Sequence, residues 1–443
     1  MKIFIECGIS LNSPYNTGIQ RVVRNIVRES ESVGQQLGVE CIPVMFAGNS
    51  FRIYKPKSDR KDSSLIVLLG IFLKGLSKLN NLLSKLPPKM GYSKLKIIVR
   101  PYSRPLYFKC QNLHELGNED DIMSDQLLHG MPNKPQQEIA SAEEPDVLLL
   151  LDSNWDVQMW GAVDKFRAKG GHVCPVLYDL IPFTHPETVE EHTRIAHTSW
   201  WLDAPLHVDS VMCISNTVRN TFLQWQNEFD LERKIPADKV GYFYLGSELS
   251  VVENEQLSLL ELVSCGVPYF LVVGSIEPRK NHSTILDAFE ILWQRGEMIN
   301  LLIVGGHGWK SQNFIQRVEQ HPLLNKHLFM PERVNDTELN CVYKAAEALI
   351  IASFEEGFGL PIVEACQRGL DVICSDIPVF HEVAGDRATY FDPYDPASLM
   401  QVIDSQISRT AHLSGNDKKV VNWITWRESA KQLFTRVLLN VRD

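Results

Sequence analysis

Residues 348–366 read ALIIASFEEGFGLPIVEAC. The stretch opens on a short apolar run, ALIIAS, ended by polar and turn residues. A run of that length and character reads as a strand buried on both faces. Gly357 and Gly359 then let the backbone bend and come close to a ligand. Pro361 suits the first position of a helix, where its missing N–H costs nothing. Strand, glycine loop and helix together make one step of a doubly wound α/β sheet. The loop lies at the carboxyl end of the strand, where such sheets bind their ligands.

The same rhythm extends in both directions. PYFLVVGS (268–275), NLLIVGG (300–306), HLFM (327–330), DVICSD (371–376) and ATYFD (388–392) are further candidate strands, with helical stretches between them that include 282–295 and 336–346. Short apolar strands alternating with helices imply a parallel sheet covered on both faces. The first half repeats the pattern: MKIFIEC, a break at Asn16-Thr17-Gly18, then Ile19, Val22, Val23, Ile26 and Val27 on one helical face. Arg21, Arg24 and Arg28 lie off that stripe. Strands follow at 39–46, 146–152, 172–179, 208–215 and 239–246. The fold expected is α/β, two doubly wound Rossmann-like domains facing a cleft. The boundaries expected are 1–262 for the first domain, with an insertion at about 55–145 and a returning helix at 425–443, and 263–424 for the second.

Composition bounds the function. A chain of 443 residues holds roughly two to four domains. A net charge of -10 argues against a general nucleic-acid binder. Nine cysteines, with no C-x-x-C and an odd count, fit a reducing cytosol and no cysteine zinc site. The N-terminus carries Glu6 and no long apolar core, so it makes a poor signal peptide, and no segment reaches the length needed to span a bilayer. Residues 60–109 reverse the overall charge, with eleven Lys/Arg against Asp62 alone. Within them, 65–86 reads as a basic amphipathic helix with Phe72, Leu76, Leu79, Leu83 and Leu86 on one side. That pattern suits an anionic membrane surface, and equally a helix packed on the domain with its lysines in water. The expected location is the cytoplasm, either free or peripheral at the inner face of its membrane.

Two segments carry chemistry. GSIEPRKN (274–281) follows a strand and precedes a helix that Asn281 or Ser283 could cap. Arg279 and Lys280, beside free helix amides, offer a seat for a diphosphate. In the opening stretch, Glu356 and Glu364 flank the glycines. They read as an acid/base pair, as two acceptors gripping one ligand, or, for Glu364, as a first-turn complement to the helix dipole.

EGFGLPIVEA resembles the E-x7-E signature of glycosyltransferase family 4, and GSIEPRKN is similar to that family's diphosphate loop. YDLIPFTHPE (178–187), ISNTVRN (214–220), the block 336–395 and WITWRESAKQLF (423–434) are similar to it as well. In flavour the segments are nearest to bacterial mannosyltransferase-like enzymes of O-antigen and capsule assembly. The resemblance implies a GT-B fold and a retaining transfer from a nucleotide-sugar donor to a lipid-linked oligosaccharide. It places Arg279 and Lys280 on the diphosphate, Glu364 on the ribose, and Glu356 with the amides of Gly357, Phe358, Gly359 and Leu360 on the moving sugar. It puts Val334 against the base and Gly18 near the donor from the other domain. Ser275 stands where many relatives carry an arginine, and Tyr178 where many carry a histidine. His185 is the nearest histidine. No strand-end D-x-D occurs, so neither an obligatory metal nor another cofactor is expected. The rivals are a glycoside hydrolase, a non-catalytic scaffold of the same fold, and a nicotinamide dehydrogenase. The last is disfavoured because no G-x-G-x-x-G follows the first strand.

Overall fold

The computed structural model describes residues 1–13, 18–54, 146–248, 266–412 and 422–442, with 259 and 263. The expected insertion and its basic helix lie outside the described residues.

The first sheet is built from β1 (Lys2–Glu6), β2 (Glu40–Ala47), β3 (Ser50–Ile53), β4 (Val147–Leu150), β5 (His172–Leu177), β6 (Val211–Cys213) and β7 (Val240–Tyr242). Its strand order is β3-β2-β1-β4-β5-β6-β7. All pairings are parallel except β2 with β3, a hairpin edge that the sequence reading missed. The helices between these strands are α1 (Gly8–Asn12), α2 (Gly18–Leu37), α3 (Trp160–Arg167), α4 (Ile181–Thr184), α5 (Glu191–His207) and α6 (Asn216–Glu228). The α2 stripe behaves as its spacing requires, with Val22, Val23 and Ile26 buried.

The second sheet comprises β8 (Tyr269–Val273), β9 (Asn300–Val304), β10 (Leu328–Phe329), β11 (Ala348–Ile351), β12 (Asp371–Ser375) and β13 (Ala388–Phe391). It runs β10-β9-β8-β11-β12-β13, parallel throughout. Its helices are α7 (His282–Gln294), α8 (Gln312–Glu319), α9 (Asp336–Ala345), α10 (Leu360–Cys366), α11 (Pro378–Ala384) and α12 (Pro396–His412). The strand period of two splits its core cleanly. Phe270 and Val272 join Ile285 and Phe289 of α7 on one face. Tyr269 and Leu271 point the other way, into an apolar cluster continuous with the first domain.

The last helix, α13 (Trp426–Arg442), returns to the first domain. Ser429 Oγ donates to the Tyr244 carbonyl at 2.7 Å, and Gln432 accepts from the Tyr244 amide at 3.1 Å. Trp426 is fully buried there.

Candidate active site

Two loops at carboxyl ends of the second sheet meet. The β8–α7 loop supplies Glu277, Arg279 and Lys280, and the β11–α10 loop supplies Ser353 to Gly359. They are tied together by the Phe354 amide, which donates to the Arg279 carbonyl at 2.9 Å. Glu356 sits between the two cations. Its Oε2 lies 2.9 Å from Arg279 Nη1, and its Oε1 accepts from Lys280 Nζ and, at 2.9 Å, from Ser353 Oγ. Arg279 Nε also donates to Glu277 at 3.1 Å, and Ser275 Oγ to the same carboxylate at 2.5 Å. Ser275 thus orients the acid that holds Arg279.

Burial alone would raise the Glu356 carboxyl, but Arg279 and Lys280 outweigh it and bring it down to about 2. Glu356 is a fixed carboxylate. Lys280 is lowered by burial and then by the Arg279 charge, and Arg279 is raised because its three carboxylate neighbours overcome its burial. One of those neighbours, Asp179, comes from the loop after β5 in the first domain. Burial pushes its carboxyl up to about 6 in spite of Arg279.

The expected side-chain cap at Asn281 is not made. Asn281 takes a left-handed φ of 54° with no side-chain bond to a helix amide, and its Nδ2 donates to the Pro393 carbonyl at 2.7 Å. The glycines behave as their residue type requires. Gly359 caps α10 at φ 100°, and a Cβ at Gly357 would stand 2.1 Å from the Tyr178 carbonyl oxygen. Gly357 is therefore needed for close approach between the domains. Leu360 opens α10, so Pro361 is its second residue. Phe358 is buried, and its ring stacks obliquely near Tyr244.

Glu364 lies one turn into α10, with its side chain 2% exposed. Tyr343 Oη donates to its Oε2 at 2.8 Å, and Arg21 Nη1 from α2 stands 2.5 Å from its Oε1. Gly18 opens α2 and is exposed, with open space where a Cβ would be. Val334 is half-buried in the loop before α9. The structure thus brings Arg279, Lys280 and Glu356 into one cluster, and sets Glu364 at the next turn against the first domain.

Sequence reasoning missed the residues that join the domains. Glu355 accepts from Thr184 Oγ1 and pairs with His185 Nδ1. His185 is thereby a cross-cleft contact of the carboxylate beside Glu356. Ser215 Oγ donates to the Gly357 carbonyl at 2.8 Å. Glu382 accepts from the Asn216 and Thr217 amides at 2.7 Å each, closing the N-terminus of α6 from the opposite domain. Trp309 Nε1 donates to the Thr188 carbonyl at 2.8 Å. Tyr178 donates its hydroxyl to the Leu151 carbonyl at 2.7 Å and is buried away from solvent. Arg21 had one legible signal: it stands one turn into the helix that follows the first glycine break. Among the described residues, no three His, Cys, Asp or Glu side chains gather as a metal site, and no helix is long and apolar enough to cross a membrane.

Two doubly wound domains around a cleft, with a paired-cation loop on one side, define a GT-B-type frame. Residues 257–417 match the family described as "Glycosyl transferases group 1". The "Serotype-specific mannosyltransferase WbdA" of Escherichia coli is 33% identical over 309 residues, which cover 66% of this chain and 38% of that protein. The "O-antigen chain mannosyltransferase RfbU" of Salmonella typhimurium is 40% identical over 240 residues, 52% of this chain and 62% of that one. The chain therefore spans less than two thirds of the length of these relatives. Among solved structures, Anabaena Alr3699/HepE in complex with UDP and glucose superposes with a TM-score of 0.52 at 15% identity, covering 100% of this chain and 97% of that one. Sucrose-phosphate synthase from Thermosynechococcus elongatus gives 0.52 at 12% identity, with 100% and 94% coverage. At such identities these two establish the fold.

Proposed function

We propose that the chain is a retaining glycosyltransferase that moves mannose, or a related hexose, from a GDP-sugar to a lipid-linked bacterial polysaccharide. The observation that carries this reading is the convergence of Arg279, Lys280 and Glu356 at two strand ends beside a helix start. Two partly buried cations held by a single shared carboxylate form an anion seat. A diphosphate entering it would take over both cations and release Glu356 toward the sugar. As the glycosidic bond to phosphate breaks, negative charge grows on the leaving diphosphate, and Arg279, Lys280 and backbone amides would stabilise it without reorganising. Positive charge grows on the sugar, where the freed Glu356 carboxylate would face it. The acceptor hydroxyl would attack from the face the phosphate leaves. With two fixed cations on the leaving group, no obligatory divalent metal is required.

The choice of mannose and of an O-antigen-type acceptor rests on the names of WbdA and RfbU. Association with an anionic membrane surface through 65–86 rests on the charge pattern alone. Liposome flotation with and without that segment tests it, and equal binding would remove the idea.

The hydrolase reading loses ground on one point. A glycosidase needs no seat for a diphosphate. The paired cations Arg279 and Lys280 at the strand ends would have no role in it. Thermal-shift screening against a panel of nucleotides and nucleotide sugars tests the donor reading, followed by mass spectrometry of product on a lipid-linked acceptor. Stabilisation by GDP-mannose with mannosyl product is expected. Sugar release from a simple glycoside, with no response to any nucleotide, would contradict it.

A further inference from the structure

Outside the phosphate seat, one charge pair crosses the cleft on the far side of α10. We propose that Arg21 is a positioning residue for Glu364, supplying from the first domain the countercharge that keeps this carboxylate aimed when the domains lie together over the donor's ribose. The inference rests on the donor reading above and adds a residue and a coupling to it.

The argument starts from burial. Glu364 has 2% of its side chain exposed, and a carboxylate that deep is costly unless paired. Among the described residues of its own domain, the guanidinium that acts on it is Arg368, which lies near without bonding the carboxylate. Arg368 Nη1 donates to the Glu364 backbone carbonyl at 2.6 Å and its Nε to Asn340 at 2.9 Å. Its guanidinium lies over the Tyr343 ring, 5.3 Å from the centroid. Tyr343 gives one neutral hydrogen bond. Burial, and then the Glu364 charge, hold that hydroxyl well above its ordinary range, so it remains a donor. The cation in direct contact with the Glu364 carboxylate is Arg21, from the other side of the cleft.

Arg21 belongs mechanically to the first domain. Gly18 starts α2 just past the carboxyl end of β1, and Arg21 follows one turn later. The helix is anchored to α1 by Arg24, whose Nη2 donates to the Ser10 carbonyl at 3.0 Å. Glu364 moves with the second sheet. Their contact therefore exists only when the two domains are together, whereas separation would expose both groups to water. An ionised carboxylate accepts at about four lone-pair positions. Tyr343 and Arg21 each approach one oxygen, so acceptor capacity remains for a vicinal diol.

The test uses the full chain with Arg21→Ala, Arg21→Lys and, as control, Arg28→Ala on the exposed face of the same helix, where Arg28 pairs with Glu29. GDP-mannose affinity is measured by calorimetry. Arg21→Ala is expected to weaken binding by about tenfold or more, the scale of a broken buried pair. Arg21→Lys should restore most of the affinity, and Arg28→Ala should match wild type. Unchanged affinity in Arg21→Ala would overturn the proposal. Tighter binding would overturn it too, by making Arg21 a competitor of the donor. If wild type binds no nucleotide sugar, the donor reading fails and the pairing is judged by solution scattering. A larger radius of gyration in Arg21→Ala than in wild type supports it, and an identical one contradicts it.

Discussion

Glu356 and Glu6 are both nearly buried carboxylates at the carboxyl ends of parallel strands, and their surroundings drive them in opposite directions. Glu356 has Arg279 and Lys280 against it and is brought down to about 2. Glu6 ends β1 with no cation in contact among the described residues. It accepts from the Gly8 amide at 3.0 Å and from Asn154 Nδ2 at 2.5 Å. Burial, then the charge of Asp152, push it up to about 7. One side is thus a carboxylate clamped between two cations. The other is a neutralisable polar knot that includes Ser10, whose Oγ and amide donate to Asp152 at 2.7 and 2.6 Å.

The largest effect expected from this contrast is on transfer. Lys280→Ala should lower kcat by about 10²–10³, the cost of removing one preorganised group on a developing anion, while far-UV circular dichroism stays native. Wild-type turnover would break the anion-seat half of the comparison. Glu364→Ala should act mainly through donor KM, which steady-state kinetics over a range of GDP-mannose concentrations can separate from kcat.

Stability against pH sharpens the contrast, because the signs differ. The folded pKa of Glu356 lies below its ordinary 4.5, so its contribution is full above that value and is lost as pH falls toward about 2. The folded pKa of Glu6 lies above 4.5, at about 7, so the folded state holds the extra proton and stability falls as pH rises through that window. Glu6→Gln removes that dependence. Chemical denaturation should show the variant gaining up to roughly 3 kcal/mol relative to wild type between pH 5 and pH 8. An equal difference at both pH values would break the account of Glu6. The smallest effects belong to single neutral contacts. Tyr343→Phe should cost about 1 kcal/mol in stability by thermal unfolding, as one buried hydrogen bond would, and a few-fold in donor affinity.

Much of this was legible from residues 268–395. Short apolar strands, each ended by glycine or a polar residue, allow one arrangement only, because a parallel sheet needs both faces covered. The Arg279-Lys280 loop and the two glutamates follow from their strand-end positions. The hairpin edge at β3 was not legible, since SFRI is four residues long with no alternation strong enough to register. Nor were the cross-cleft partners. Glu355, Glu382 and Arg21 look like solvated charges in sequence, because what makes each of them functional is a backbone amide or a side chain more than a hundred residues away. The Asn281 cap failed for a local reason. Its left-handed backbone turns the side chain off the helix end toward Pro393, and the α7 amides are left without it.

The central claim is that Arg279 and Lys280 seat the diphosphate of a sugar nucleotide, with Glu356 holding that place in the structure. Calorimetric titration of GDP into wild type, Lys280→Ala and Glu356→Gln tests it most directly. The account predicts a loss of about tenfold or more in Lys280→Ala, as for a charge-assisted bond removed from a partly buried site. It predicts equal or tighter GDP binding in Glu356→Gln, because the competing carboxylate charge is gone. Affinity unchanged in Lys280→Ala, or GDP binding lost in Glu356→Gln while that variant remains folded, would contradict it.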